Sequence, residues 1–147
     1  MADMDSRLTL RKEEKLRHRS LVEALFREGK SIYEFPIRLT WRLLSKDKLE
    51  ENFCDHVPPA IGRRQMLITV PKRKRRHAVD RVLMRRRIRE AYRLYRKSIL
   101  GEMPDDGATL GMAFVYMHDK NLPYSTIEKK MKSLLSKLAS AVEGQFS

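Results

Sequence analysis

The sequence lacks several features on which whole classes of protein depend. It has one cysteine, Cys54, in 147 residues, so the chain forms no internal disulfide and offers no pair of thiolates to a metal ion. Its longest apolar stretches, such as residues 66–70 and 110–117, are far shorter than the roughly 20 residues that cross a bilayer. No apolar signal segment follows Met1. These absences argue against a disulfide scaffold, a zinc ribbon and a membrane partner, and we expect a cytoplasmic protein.

Motifs that carry enzymatic chemistry are also missing from the sequence. The four histidines are scattered, and none is spaced from a carboxylate as a metal site or a general base requires. Asp105 and Asp106 lie between a proline and a glycine, which is typical of a turn. No nucleophile elbow, Walker motif or zinc-protease motif is present. We predict that the polypeptide itself supplies no catalytic residue, no metal ligand and no cofactor site, and no obligate protein partner is evident.

What the sequence has in excess is positive charge, and this excess is local. The chain carries 32 Lys and Arg against 19 Asp and Glu, a net charge of +13. Residues 63–97 hold 15 of the basic residues and only two acidic ones, Asp80 and Glu90, so this segment accounts for the whole imbalance. A cation density this high indicates a polyanionic partner rather than a surface kept for solubility.

Hydrophobic spacing predicts a single α+β domain over 11–142, with a disordered segment at 1–10 and a frayed one at 143–147. The element order is α-β-β-α-β-α, which we interpret as a two-layer α/β sandwich with a small mixed sheet. We expect the first two strands to pair antiparallel. The predicted elements are a helix over 21–28, strands over 35–44 and 65–70, a helix over 81–99, a strand over 108–117 and a helix from about Ser125 to Val142.

Local signals predict how the helices begin. A capping box of the form S-x-x-E starts at Ser20, and a second one starts at Ser125. Asp80 is placed to cap the basic helix, and Val79 before it is spaced to pack on Met84 as a hydrophobic staple. Pro36 indicates an edge strand or the start of a strand.

The helix predicted over 81–99 has one apolar side and one cationic side. Arginines four positions apart repel one another by roughly 0.2–0.5 kcal/mol per pair, so the sequence opposes its own helix unless phosphates supply counter-charge. Guanidinium groups also match phosphate oxygens better than ammonium groups do. The cationic side comprises Arg85, Arg86, Arg89, Arg93, Arg96 and Lys97.

RNA is a better partner for this helix than DNA, because no leucine heptad follows it and no helix-turn-helix spacing precedes it. The predicted RNA-binding residues are Arg81, Arg85, Arg86, Arg89 and Arg93 on the helix and Lys72, Arg73, Lys74, Arg75 and Arg76 in the loop before it. An alternative is a non-catalytic structural RNA-binding protein, such as a ribosomal component.

Residues 78–90 resemble the arginine-rich motif of the bacterial ribonuclease P protein component, A-V-x-R-N-x-x-K-R-x-x-R-E. The resemblance extends over roughly residues 10–140 in element order. The matching residues are Ala78, Val79, Arg81, Arg86, Arg89 and Glu90, with Arg85 replacing the usual lysine and Val82 the usual asparagine, and upstream Leu16, Phe26 and Gly29.

This resemblance implies a protein that assists a catalytic RNA in removing the 5′ leader from precursor tRNA. The RNA subunit, with Mg²⁺ bound to it, would perform the hydrolysis, so the chain would be the protein part of an RNA-based endoribonuclease. The arginine-rich helix would lie in a crossover between parallel strands and contact the catalytic RNA. The residues implied for a cleft that holds the single-stranded leader are Phe26, Val22 (where the family has an aromatic residue), Arg38, Thr40 and Trp41.

Overall fold

The computed structural model describes residues 10–11, 14–52, 64–101 and 108–146. Cys54, Asp105 and Asp106, and most of the terminal segment predicted to be disordered, lie outside these ranges. The elements are α1 (Arg19–Glu28), β1 (Lys30–Glu34), β2 (Ile37–Leu44), α2 (Lys46–Asn52), β3 (Arg64–Thr69), α3 (Ala78–Leu100), β4 (Thr109–Tyr116) and α4 (Tyr124–Phe146).

The four strands form one mixed sheet in the order β1-β2-β4-β3. β1 and β2 are an antiparallel hairpin, and β2 also pairs antiparallel with β4, with Ile37 opposite Tyr116. β3 pairs parallel with β4, and α3 connects these two strands. The α+β class, the mixed sheet and the crossover position of the basic helix are confirmed.

The predicted antiparallel pairing of residues 35–44 with 65–70 is wrong. β4 lies between these two strands and pairs with both of them. Alternating polarity shows which face of a strand is buried, but it does not identify the neighbouring strand. β4 takes the central position because its residues are apolar on both faces, and such a strand is stable only when both faces are covered.

β1 and α2 were not predicted from the sequence. β1 has five residues at the edge of the sheet, and most of its side chains are exposed, so it has no apolar periodicity. α2 lies between the strands predicted over 35–44 and 65–70, where no helix was predicted, and Leu49 is the buried apolar residue that attaches it to the domain. Such short elements are stabilised by tertiary contacts, which local sequence does not reveal.

Three predicted helix starts are displaced. α1 begins at Arg19 after His18, so Ser20 is not its capping residue. α4 likewise begins at Tyr124, one residue before the predicted box. α3 begins at Ala78, which places Asp80 inside its first turn. Val79 is 78% exposed and therefore forms no staple. α4 continues to Phe146, past the predicted domain end at 142, and Ser147 is not described.

The main core lies between one face of the sheet and the layer of α3 and α4. β2 contributes Ile37, Leu39 and Trp41 to it, and β4 contributes alternate residues such as Met112 and Phe114. α1 and α2 lie on the opposite face over a smaller apolar cluster that includes Leu44 and Ala113. Since α1 covers only part of that face, the remainder stays accessible. Within the described ranges, no helix combines the length and apolar character needed to cross a bilayer.

A buried ion pair attaches the segment before α1 to α3. The Arg96 side chain is fully buried, and its Nε donates to Glu14 Oε1 at 2.7 Å. Burial raises the pKa of Glu14, but hydrogen bonds from Arg96 and the Arg11 amide, with the nearby cations, lower that pKa below its ordinary value. The prediction that Arg96 belongs to the outward cationic side is therefore wrong, because this guanidinium is a structural group.

Replacing Glu14 with alanine should destabilise the fold by about 3 kcal/mol, because it leaves the Arg96 cation buried without its partner. Urea denaturation followed by circular dichroism at pH 7 measures this loss. The difference between wild type and Glu14→Ala should shrink as pH falls from about 4.5 through the lower pKa of Glu14 in the folded state.

A double variant, Glu14→Leu with Arg96→Met, is the control for this prediction. It removes both charges and keeps apolar volume, so it should recover much of the lost stability. A loss of less than about 1 kcal/mol in Glu14→Ala, the size of an average point mutation, would show that the pair is dispensable.

Candidate nucleic-acid interface

Three arginines of α3 form an outward-facing group that we name the arginine surface: Arg85, Arg86 and Arg89. Arg86 and Arg89 are exposed and Arg85 is half-buried. Met84 and Ile88, on the other side of the same turns, are fully buried in the main core. Within the described part of the chain no ion pair of these three arginines is recorded, so their positive charge is available to an external anion.

Two other arginines predicted to bind RNA are occupied within the protein. Arg81 Nη1 donates to the carbonyl oxygens of Arg75 at 3.0 Å and Arg76 at 2.7 Å. Arg93 contacts the Glu90 carboxylate at 2.7 Å, and its hydrogen bond lowers the pKa of Glu90. Arg81 thus ties the basic loop to the helix, and Arg93 is partly neutralised.

The basic loop, residues 72–76, is a tight turn held against the start of α3. The backbone amides of Lys74 and Arg75 both donate to the Pro71 carbonyl at 3.0 Å. Arg75 is inward-facing, since it pairs with Asp80 at 3.0 Å and donates to the Asp119 carbonyl. A hydrogen bond from Asn121, followed by the charge of Arg75, lowers the pKa of Asp80.

The remaining cations of the basic loop are directed away from the fold. Lys72, Arg73 and Arg76 are exposed and Lys74 is half-buried. Because Arg81 joins the loop to α3, these side chains and the arginine surface belong to one continuous cationic region at the N-terminal half of that helix. The structure therefore separates the ten predicted RNA-binding residues into seven outward cations and three internal ones, Arg75, Arg81 and Arg93.

A second surface is the part of the sheet that α1 leaves uncovered, which we name the open sheet face. Arg38 of β2 is exposed there, with Tyr33 of β1 opposite it in the hairpin register. On its other side Arg38 pairs with Val115 of β4, which in turn pairs with Thr69 of β3. α1 borders this region and carries Phe26, whose ring is 50% exposed.

The predicted cleft residues fall into three groups. Arg38 is exposed on the open sheet face, Phe26 is exposed on α1, which borders it, and Val22 is half-buried against the smaller apolar cluster. Thr40 shares the strand face of Arg38 but is buried, and its hydroxyl is 3.3 Å from that of Ser31. Trp41 lies on the opposite face in the main core, so it does not line this surface.

Tyr33, Thr69 and Val115 were not predicted at this surface. Tyr33 is 56% exposed, but this exposure is known only from the folded chain, and the strand that carries it was not predicted. Thr69 and Val115 reach the surface only because β3 and β4 are parallel neighbours, and no local pattern predicted that pairing. Among the described residues, no group of three or more histidine, cysteine and acidic side chains could hold a metal ion.

A mixed sheet, a crossover helix with a cationic side and an open sheet face with exposed aromatic residues define an α+β protein of nucleic-acid-binding type. Residues 10–139 match the family model described as Ribonuclease P. The chain belongs to the family of ribonuclease P proteins, which take part with an RNA subunit in processing the 5′ leader of tRNA. The family predicted from the arginine-rich motif is confirmed.

Individual ribonuclease P proteins align with this chain over most of their length. The ribonuclease P protein component of Porphyromonas gingivalis strain W83 is 29% identical over 133 residues, which are 90% of this chain and 88% of that protein. The Staphylococcus aureus RNase P protein structure has a TM-score of 0.61 at 15% identity, covering 86% of this chain and 96% of that one. The Thermotoga maritima RNase P protein gives 0.60 at 18% identity, with 84% and 96% covered. These two structures share the fold.

Replacing all three members of the arginine surface with alanine should weaken RNA binding and leave the fold intact, because none of them has a recorded partner within the described residues. Three lost phosphate contacts lower the slope of log affinity against log salt by about 2 to 3. Filter binding to a structured RNA between low and physiological salt measures the slope, and circular dichroism checks the fold.

The matched control removes three lysines outside this region, Lys46, Lys48 and Lys129, which are exposed on α2 and α4. Its net charge equals that of the arginine variant, so a general charge effect would change both proteins alike. Unfolding of the arginine variant, or equal slopes in the two proteins, would contradict the assignment of this surface.

Proposed function

We propose that this chain is the protein subunit that assists the ribonuclease P RNA in cleaving precursor tRNA, and that it binds both the RNA subunit and the 5′ leader. Family membership supports the RNA partner. The cationic region and the open sheet face are separate surfaces with different chemistry, which supports the binding of a different RNA strand by each of them. Such a subunit would work in the cytoplasm with its RNA.

The RNA subunit is assigned to the cationic region. The arginine surface and the outward side chains of the basic loop bring seven positive groups together without a recorded carboxylate partner in the described chain. Folded RNA presents phosphates at high density, and guanidinium groups form paired hydrogen bonds with them. Val82, where the family pattern has asparagine, is 44% exposed beside these arginines and presents an apolar side chain instead of an amide.

The leader is assigned to the open sheet face. This site for an unpaired strand distinguishes the proposed function from general RNA binding. Single-stranded RNA is held by aromatic rings that stack on bases and by cations that neutralise the backbone. Phe26 and Tyr33 supply half-exposed rings, and Arg38, which pairs with Tyr33 in the hairpin, supplies a cation. A double helix could not place its bases against these rings, so the surface selects an unpaired strand.

Hydrolysis is assigned to the RNA subunit and to Mg²⁺ bound there. The described residues offer no cluster of metal ligands, and the carboxylates near the cationic region are engaged by arginines, as Asp80 is by Arg75 and Glu90 by Arg93. The contribution of the protein is to bind and orient the RNA strands and to reduce repulsion between their phosphates.

Reconstitution tests the proposed function. The purified protein is added to a bacterial ribonuclease P RNA, and cleavage of precursor tRNA is measured at low Mg²⁺, where phosphate repulsion is least screened. Cleavage should be faster than with RNA alone. The same assay with substrates of increasing leader length should show tighter binding once the leader spans the open sheet face.

Two outcomes would overturn this assignment. An absence of stimulation would contradict the role in ribonuclease P. Affinity that is indifferent to the leader would favour the alternative, a structural RNA-binding protein, because such a protein needs no site for an unpaired strand.

Replacing Phe26 with alanine should weaken binding of leader-bearing precursor tRNA by roughly 5- to 150-fold, the range given by about 1–3 kcal/mol for one base stacked on a ring. Mature tRNA, which has no leader, should bind as it does to wild type. Equilibrium titration of both RNAs in complex with the RNA subunit measures the difference.

Phe35→Ala is the matched control for this prediction. Phe35 is 47% exposed, close to the value for Phe26, but it lies in the turn between β1 and β2. Its ring centroid is 5.0 Å from that of His118, in an edge-to-face arrangement. Equal losses in the two variants would show that exposed apolar area, rather than the open sheet face, determines the affinity.

A further inference from the structure

A groove that adjoins the arginine surface lies at the outer edge of β3. Its volume is about 180 Å³, and it opens between the segment preceding α1, the strand and helix α3. The segment is held in place there, because Lys15 forms a parallel bridge with Met66 and the Leu16 amide donates to the Met66 carbonyl at 2.8 Å. The lining residues are Leu10, Lys15, Leu16, Arg17, Met66, Leu67, Ile68 and Arg89.

Among the described residues, the charged side chains that line this groove are all positive. Lys15, Arg17 and Arg89 line it and are all exposed, and no ion pair involving them is recorded in the described parts of the chain. The carboxylate nearest in sequence, that of Glu14, is engaged by the buried Arg96. The lining has three cations and no acidic side chain. It therefore attracts an anion that brings at least two negative charges close to these cations.

The floor of the groove is apolar. Leu10 and Ile68 line it, are partly exposed and pack on the main core, whereas Leu67 lines it from the opposite face of β3. The volume is below the roughly 300–1,000 Å³ of ordinary small-molecule sites, so it suits a single flat ring. An apolar floor surrounded by cations matches the chemistry of one nucleotide, whose base is apolar on its faces and whose phosphates are anionic.

The position of the groove relates it to both RNA surfaces. Leu67 also packs on the cluster beneath α1, on the face of the sheet that carries Arg38. Arg89 belongs to the arginine surface on the other side of the sheet. A strand that passes from the open sheet face to the arginine surface around the β3 edge therefore crosses this groove.

We propose that the groove is a binding site for one unpaired nucleotide of RNA, with its base on Leu10 and Ile68 and its flanking phosphates on Lys15, Arg17 and Arg89. The inference rests on the proposed function for the identity of the polymer. The same chemistry is offered by a leader nucleotide and by an unpaired nucleotide of the RNA subunit, and the experiment below separates these two sources.

The first test compares Lys15→Ala/Arg17→Ala with Lys46→Ala/Lys129→Ala, which removes the same charge from exposed sites elsewhere. Both variants are assembled with the ribonuclease P RNA and titrated with precursor tRNA, and each protein is also titrated with the RNA subunit alone. Two lost contacts to a single strand should lower the salt slope by about 1.4 in one titration. A lower slope with precursor tRNA identifies a leader nucleotide, and a lower slope with the RNA subunit alone identifies a nucleotide of that subunit. The control variant should have the wild-type slope in both titrations.

The second test places the photo-crosslinking residue p-benzoylphenylalanine at position 17 instead of Arg17, with the same residue at position 129 as control. Crosslinking from position 17 to one unpaired nucleotide, in the leader or in the RNA subunit, supports the inference. Crosslinks only to paired RNA, no crosslink, or a slope equal to that of wild type would overturn it.

Failure of this inference is distinguishable from failure of the proposed function. If wild-type protein stimulates cleavage while the position 15 and 17 variant retains the wild-type slope, only the nucleotide site is wrong. If wild-type protein gives no stimulation, the proposed function is wrong.

Discussion

Mutual repulsion among the cations of residues 63–97 is the constraint on which the arrangement of this protein depends. Fifteen basic side chains in 35 residues oppose a compact fold unless their charges are compensated or separated. The fold compensates several of them internally. Arg96 is buried against Glu14, Arg75 pairs with Asp80, Arg93 pairs with Glu90, and Arg81 donates to two backbone carbonyls. These contacts attach the N-terminal segment and the basic loop to α3.

The remaining cations, for which the described chain shows no internal partner, lie together in the cationic region. The arginine surface lies opposite the side of α3 that packs on the sheet, so its position follows from burial of residues such as Met84 and Ile88. An RNA partner would supply the remaining counter-charge, which couples stability of the assembled state to binding. The basic segment thus performs two tasks: it holds the fold together at its inward positions and presents charge at its outward ones.

Much of this could be predicted from sequence because the relevant signals are local. The apolar stripe and the arginine spacing of residues 81–99 indicate an amphipathic helix, and motif spacing indicates the family, which the family model confirms. Phe26 and Arg38 were predicted at a cleft, and both side chains are exposed in the structure, Arg38 on the open sheet face and Phe26 on α1; their role stays a prediction. Trp41 was misplaced, because successive side chains of a strand point to opposite faces, and the alternation over 35–44 groups Trp41 with the buried Ile37 and Leu39 rather than with Arg38.

The sequence by itself determined the class of the protein, the amphipathic character of α3 and the concentration of charge, since these depend on residue type and on spacing along the chain. Only the tertiary structure decided which strands are neighbours, which arginines are internal, and that Tyr33, Thr69 and Val115 meet on one surface. The physical reason is that a partner such as Glu14 lies 82 residues from Arg96, and contacts at that distance form only when the sheet and its crossover bring the two segments together.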